Sequence, residues 1–177
     1  MKYYSSLFWI IETTTTSMGI SSKNQYKDGL KEGEQSSWYE DGKLRIREFY
    51  KDGKQEGEQS AWYSNGQLTC QEFYKDGKLD GEQSTRYNNG QIHTKTCFKD
   101  GKKNGKRTVR CFGGQLLCEN LYKNGKKDGE QSHWHSNQLS SKYFYKDGEK
   151  VEKIWMDLQK RKKFQETKYK SNAYMNK

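Results

Sequence analysis

The side chains best suited to metal binding or nucleophilic chemistry are three histidines, His93, His133 and His135, and four cysteines, Cys70, Cys97, Cys111 and Cys118. A nucleophile needs a base within hydrogen-bond reach and a third group to orient that base. No such set can be assembled here, because the histidines stand in strand-like stretches with no glycine-rich phosphate loop or nucleophile elbow beside them. His133 and His135 project to the same side of one strand. With Cys111 or Cys118 they offer the right atoms for zinc, but neither cysteine has ligand-like spacing. The expectation is a protein without catalysis, cofactor or metal.

Binding by a surface is better represented. Trp38, Trp62, Arg86, Arg110 and Trp134 fall at equivalent places along the chain, next to a second series of Phe49, Phe73, Cys97, Leu121 and Phe144. Tryptophan and arginine on a rigid face have the composition of an interaction hot spot; the alternative is that these rings pack on one another across strands. Lys102, Lys103, Lys106 and Arg107 form a basic stretch suited to phosphate or an acidic partner. A second basic run, Lys160-Arg161-Lys162-Lys163, suits an anionic membrane surface or a nuclear-import or nucleic-acid contact. Arginine and aromatic residues do not interleave as a nucleic-acid platform requires, so nucleic acid is the weaker expectation.

What must position these residues is a repeat. Aromatic-Lys-Asp/Asn-Gly opens at Tyr26, Tyr50, Tyr74, Phe98, Tyr122 and Tyr145, every 24 residues until a last step of 23. A period of this length implies stacked supersecondary units that contact mainly their neighbours. Each unit has two turn signals. One is Asp28-Gly29, Asp52-Gly53, Asp76-Gly77, Asp100-Gly101 or Asn124-Gly125; the other is Asp41-Gly42, Asn65-Gly66, Asn89-Gly90 or Gly113-Gly114. Such pairs tolerate positive φ and predict type I′ hairpins joining strands of about ten residues. With Asp41-Gly42 as a two-residue turn, Tyr39 faces Leu44, Trp38 faces Arg45 and Ser37 faces Ile46. One side then collects Tyr39, Tyr63, Tyr87, the row Leu44, Leu68, Ile92, Leu116 and Leu139, and the aromatic row from Tyr50 to Tyr145, like a core. Cys70 and Cys118 take the place of Ile46 and read as small buried apolar residues.

The ends depart from the pattern. Residues 1–24 read as a degenerate hairpin that closes the exposed end of the stack; their apolar run is too short for a membrane span and lacks a signal-peptide cleavage site. Residues 25–148 carry the repeats. Residues 149–177 lack glycine and proline, and Val151, Ile154, Trp155 and Leu158 recur at helical spacing, which predicts an amphipathic capping helix with a basic tail. Nine Lys/Arg against four Asp/Glu from Glu149 onward supply half of the formal +10. Only 30% of the chain is hydrophobic against 32% charged, a disorder-like balance that regular repetition overrules. Cysteine spacing without a disulfide framework predicts reduced thiols and a cytoplasmic or intracellular location, with peripheral membrane attachment as the variant.

The pattern aromatic-x-Asp/Asn-Gly-Lys-x-x-Gly-Glu, then Trp-Tyr-x-Asn/Asp-Gly-Gln/Lys-Leu, resembles the variant MORN repeat of the YwqK-type antitoxin family, over about Gln25 to Lys150. It departs at Arg86 and in Lys99 to Leu121, where Arg110 and Cys111-Phe112 replace the usual aromatic pair. The resemblance implies an elongated, twisted, single-layer antiparallel β-hairpin meander, an all-β repeat acting as a scaffold for a protein partner. It also implies two alternatives, anionic phospholipid binding and an antitoxin role beside a cognate toxin.

Overall fold

The structure is a computed structural model that describes residues 8–17 and 19–154. The chain runs as one antiparallel meander: β1 Trp9–Thr16, β2 Gly19–Lys27, β3 Leu30–Lys31, β4 Gly33–Trp38, β5 Leu44–Lys51, β6 Lys54–Gln55, β7 Gly57–Trp62 and β8 Leu68–Lys75. It continues through β9 Lys78–Leu79, β10 Gly81–Arg86, β11 Ile92–Lys99, β12 Lys102–Arg110, β13 Leu116–Lys123, β14 Lys126–His135, β15 Gln138–Lys146 and β16 Glu149–Ile154. All sixteen strands belong to one sheet, and thirteen form its path in sequence order while β3, β6 and β9 pair only with β2, β5 and β8. The expected all-β single layer is therefore what the repeat builds. No helix occurs among the described residues.

The two turns of a repeat differ in kind. Asp28, Asp52, Asp76, Asp100, Asn124 and Asp147 have φ near 50°, and each is followed by a glycine at positive φ, the type I′ geometry the dipeptides predict. The mid-repeat turn has three residues instead of two. Gly42 donates to the Tyr39 carbonyl at 2.9 Å and Tyr39 donates to the Lys43 carbonyl at 2.8 Å, with positive φ at Gly42 alone. This is a type I turn closed by a left-handed glycine. It changes the predicted register: Ser37 still opposes Ile46, but Trp38 opposes Leu44, and Arg45 is the extra residue of a bulge. The 23-residue step has a matching cause. Ser136 and Asn137 take φ 49° and 61° between the partners His135 and Gln138, so loss of one residue converts the three-residue turn to a two-residue one.

The C-terminal expectation is corrected for Glu149–Ile154, which continues the sheet as β16 against β15 rather than starting a helix. Asp147-Gly148 repeats the type I′ turn, and the Gly148 N–H reaches the Lys127 carbonyl at 2.9 Å, which returns the chain alongside β15. Trp155, Leu158 and Lys160 to Lys163 lie outside the described residues. At the other end, β1 and β2 do form a hairpin, from Trp9 opposite Lys27 to Thr16 opposite Gly19. It does not bury its apolar side chains: Trp9, Ile10 and Ile11 are 56%, 50% and 60% exposed.

The expected core is also revised. No hydrophobic residue among those described is buried, because a single layer has no second layer to cover it; the aromatic rows are half-buried. What lies buried along the midline is polar: Gln35, Ser36, Gln59, Ser60, Ser84, Thr96, Asn120, Gln131 and Ser132. Both margins are stitched from repeat to repeat. On the margin with the three-residue turns, the Tyr39, Tyr63 and Tyr87 hydroxyls donate to the carbonyls of Trp62, Arg86 and Arg110 at 2.7 to 2.9 Å.

On the type I′ margin the Gly53, Gly77, Gly101 and Gly125 N–H groups donate to Lys31, Gln55, Leu79 and Lys103. The Asp52 and Asp76 N–H groups are received by the carboxylates of Glu32 and Glu56 at 2.7 and 2.8 Å. In later repeats Asp80 and Asp128 take over, each also bound by a lysine, Lys99 at 2.9 Å and Lys146 at 3.0 Å. Those lysine hydrogen bonds, then the backbone N–H groups of Asp100 and Asp147, hold both carboxyls below the usual range. A carboxyl lowered by folding adds stability above its unfolded value and loses it as pH falls through the folded one. The urea midpoint should therefore hold from neutrality to about pH 5 and fall below about pH 4, with a shallower fall in Asp80→Asn/Asp128→Asn.

Candidate functional site

The recurring tetrapeptide Gly-Glu-Gln-Ser, at residues 33–36, 57–60, 81–84 and 129–132, organises both faces. The glycine sits at a bulge with positive φ, 73° at Gly33 and 130° at Gly81, directly opposite the aromatic row at Tyr50 and Phe98. Two residues on, the glutamine of the first two copies fills the gap that the bulge opens in the ladder. Gln59 Oε1 accepts from the Phe49 N–H and its Nε2 donates to the Phe49 carbonyl, both at 2.9 Å. Gln35 does the same for Gln25 at 3.1 and 2.8 Å. The side-chain amide thus replaces a missing strand neighbour, which is why an uncharged polar residue is buried there.

The glutamate and serine of the motif point to the opposite side. Ser60 and Ser132 donate to Glu58 and Glu130 at 2.6 Å. Cations on a neighbouring strand complete the set: Arg47, on the preceding strand, at 4.0 Å from Glu58, and Lys95 and Lys142, on the following ones, at 2.8 Å from Glu82 and 2.9 Å from Glu130. The fourth repeat reads Gly105-Lys106-Arg107-Thr108, and there the charges are exchanged, since Lys106 meets Glu119 at 2.8 Å. One repeat position swaps sign and its cross-strand partner swaps with it.

This side, the tryptophan face, carries Trp38, Trp62, Arg86, Arg110 and Trp134, all half-buried. Arg47 stands 5.6 Å from the Trp62 ring and 5.8 Å from Phe49, a cation–π pair worth about 0.5–1 kcal/mol at an exposed site. Where arginine replaces tryptophan its guanidinium caps the turn: Arg86 and Arg110 donate to the Gly90 and Gly114 carbonyls at 3.1 Å. Beside Trp38 an open groove of about 450 Å³ is lined by Trp38, Tyr39, Glu40, Asp41, Arg45 and Ser64.

The basic stretch of the fourth repeat does not converge. Lys106 is paired on the tryptophan face, Lys103 lies 5.2 Å over the Tyr122 ring on the other face, and Arg107 reaches Cys118 Sγ at 3.7 Å. Lys102 lies exposed on the type I′ margin. Sequence reasoning grouped these four because they are adjacent in the chain, whereas strand alternation sends neighbours to opposite faces.

The chemical candidates are dispersed too. His93 stacks on Tyr87 at 4.6 Å and His133 approaches Tyr143 at 6.4 Å. Burial, then Lys127, lowers the His133 pKa. All four cysteines are free; burial, then Glu72, pushes the Cys70 thiol up to about 11, so it is inert near neutrality. Among the described residues no group of three or more His, Cys, Asp or Glu gathers at metal-binding distances. The midline glutamines went unassigned in the sequence reading, although their recurrence two residues after a bulge glycine was the available signal.

Fold and surface together define a β-hairpin repeat ribbon. Three successive segments, residues 31–52, 55–76 and 79–100, match the family described as MORN repeat variant, so the chain carries repeats of that type. The search of curated proteins found no match to the chain.

Proposed function

We propose that the protein is a non-enzymatic repeat scaffold that captures a protein partner on its tryptophan face. The observation that carries this reading is the groove at Trp38. There an aromatic pair, the Arg45 guanidinium and the turn carboxylate of Asp41 line an open recess on a surface stitched rigid at both margins. Aromatic and arginine anchors in partly desolvated recesses dominate protein interfaces, and a prebuilt surface loses little conformational freedom on binding. Occlusion of a cognate toxin would be one form of such capture.

The test is Trp38→Ala/Trp62→Ala/Trp134→Ala. Affinity capture from the native host should lose its partner while the β signal in far-ultraviolet circular dichroism stays. Unfolding of the variant would assign the rings to packing instead. Attachment to anionic lipid is the second reading, favoured by the surplus of positive charge in residues 149–177. Sedimentation with anionic vesicles at low salt, with and without that segment, separates it from protein capture.

A further inference from the structure

The two faces handle charge differently. On the tryptophan face Glu58, Glu82, Glu119 and Glu130 each have a cross-strand cation. The opposite, tyrosine face has charges without counter-ions. Glu48 and Glu72 receive the hydroxyls of Tyr50 at 3.3 Å and Tyr74 at 3.0 Å, and the Gln83 amide also reaches Glu72. Neither carboxylate has an ion-pair partner among the described residues. Lys103, Lys127 and Lys150 stand over the rings of Tyr122, Tyr145 and Tyr143 at 5.2, 4.9 and 3.7 Å, also without a carboxylate.

These charges are separated along the ribbon. Glu48 on β5 and Glu72 on β8 are the fourth and sixth strands of the thirteen-strand path, and Lys103 on β12 and Lys127 on β14 are the ninth and eleventh. Each pair is two strands apart, roughly 9–10 Å. A two-fold axis parallel to the strands, lying between β10 and β11, exchanges the fourth strand with the eleventh and the sixth with the ninth. It carries Glu48 toward Lys127 and Glu72 toward Lys103 and Arg107 of a second copy, and the reverse contacts follow by symmetry. Two lysines stand outside this pattern: Lys31, 4.6 Å over the Tyr50 ring on the fourth strand, comes toward Lys127 of the second copy as a like-charge approach beside the Glu48 pairing, and Lys150, on the thirteenth, faces β2.

We propose that the protein forms an isologous dimer, two ribbons face to face on their tyrosine faces with opposite strand order. The half-buried row Tyr50, Tyr74, Phe98, Tyr122 and Tyr145 then becomes the interior between two layers, which pack about 10 Å apart in aligned sheets. The pairing closes on itself, so it ends at two copies rather than a filament. It is independent of partner capture, which uses the other face.

Sedimentation equilibrium of the full chain at micromolar concentration should give twice the 20.9 kDa chain mass. Glu48→Lys/Glu72→Lys and Lys103→Glu/Lys127→Glu should each weaken self-association at least tenfold. An equimolar mixture of the two should return to dimer mass, and the fourfold exchange Glu48→Lys/Glu72→Lys/Lys103→Glu/Lys127→Glu should restore the homodimer. These side chains are outside the backbone ladder, so circular dichroism should not change; if a reversed variant misfolds, Lys103→Gln/Lys127→Gln should still show the weakening. A monomeric wild type at 200 µM, or charge variants that associate as tightly as wild type, would overturn the proposal; the second result would move association to another surface, such as the open edge of β1.

Discussion

Gln59→Leu should cost about 2–3 kcal/mol, since it strips one donor and one acceptor from a buried gap in the ladder and leaves the Phe49 N–H without a partner. The substitution keeps the volume but removes both 2.9 Å contacts to the Phe49 backbone. The Phe49 carbonyl keeps the Glu56 N–H at 2.9 Å, so the unsatisfied group is the N–H. Hydrogen exchange should therefore show the Phe49 amide losing protection first, with the urea midpoint falling. Gln83→Leu is the internal control. That amide contacts the Glu72 side chain instead of a backbone gap, so its loss should cost less than half as much. Equal effects at the two sites would mean that the glutamines act through packing, not as substitutes for a strand.

The second large effect is expected at Gly81→Ala, about 2–4 kcal/mol, measured by the same urea midpoint. Gly81 has φ +130°, a conformation L residues rarely adopt, and an added methyl would lie 3.0 Å from Phe73 Cβ, an atom fixed to the neighbouring backbone. Gly57 occupies the same place one repeat earlier with φ +75° and nothing within 4 Å. Gly57→Ala should therefore show only the left-handed backbone cost, about 1–2 kcal/mol. The difference separates strain from contact at two copies of one motif.

Much of the fold was legible because the signals were local and repeated. Asp-Gly and Asn-Gly fixed one set of turns, and an even period kept the faces in step. The mid-repeat turns were misread because the same dipeptides serve in a three-residue turn, where only the glycine needs positive φ; a sequence does not mark which residue enters the loop. Val151 and Ile154 are three apart, a spacing that fits a helix as well as a strand with a residue on each face, and the Asp147-Gly148 pair before them decided the matter. Of the candidate site, the tryptophan series was visible from the period. The ion pair that neutralises Lys106 was not, because Lys106 was grouped with its chain neighbours, whereas strand alternation turns it alone toward Glu119, diagonal to it on β13.

The shortened fifth unit shows where this architecture tolerates change in length. Its missing residue was absorbed by a different turn at the margin of the three-residue loops, and the strands beyond it kept their pairing. The other margin has no such freedom, since each of its turns is bonded to the one before by glycine and aspartate N–H groups. Insertions and deletions fixed in the evolution of such a ribbon should gather along one border and leave the other constant. Whole modules can be gained or lost without disturbing either.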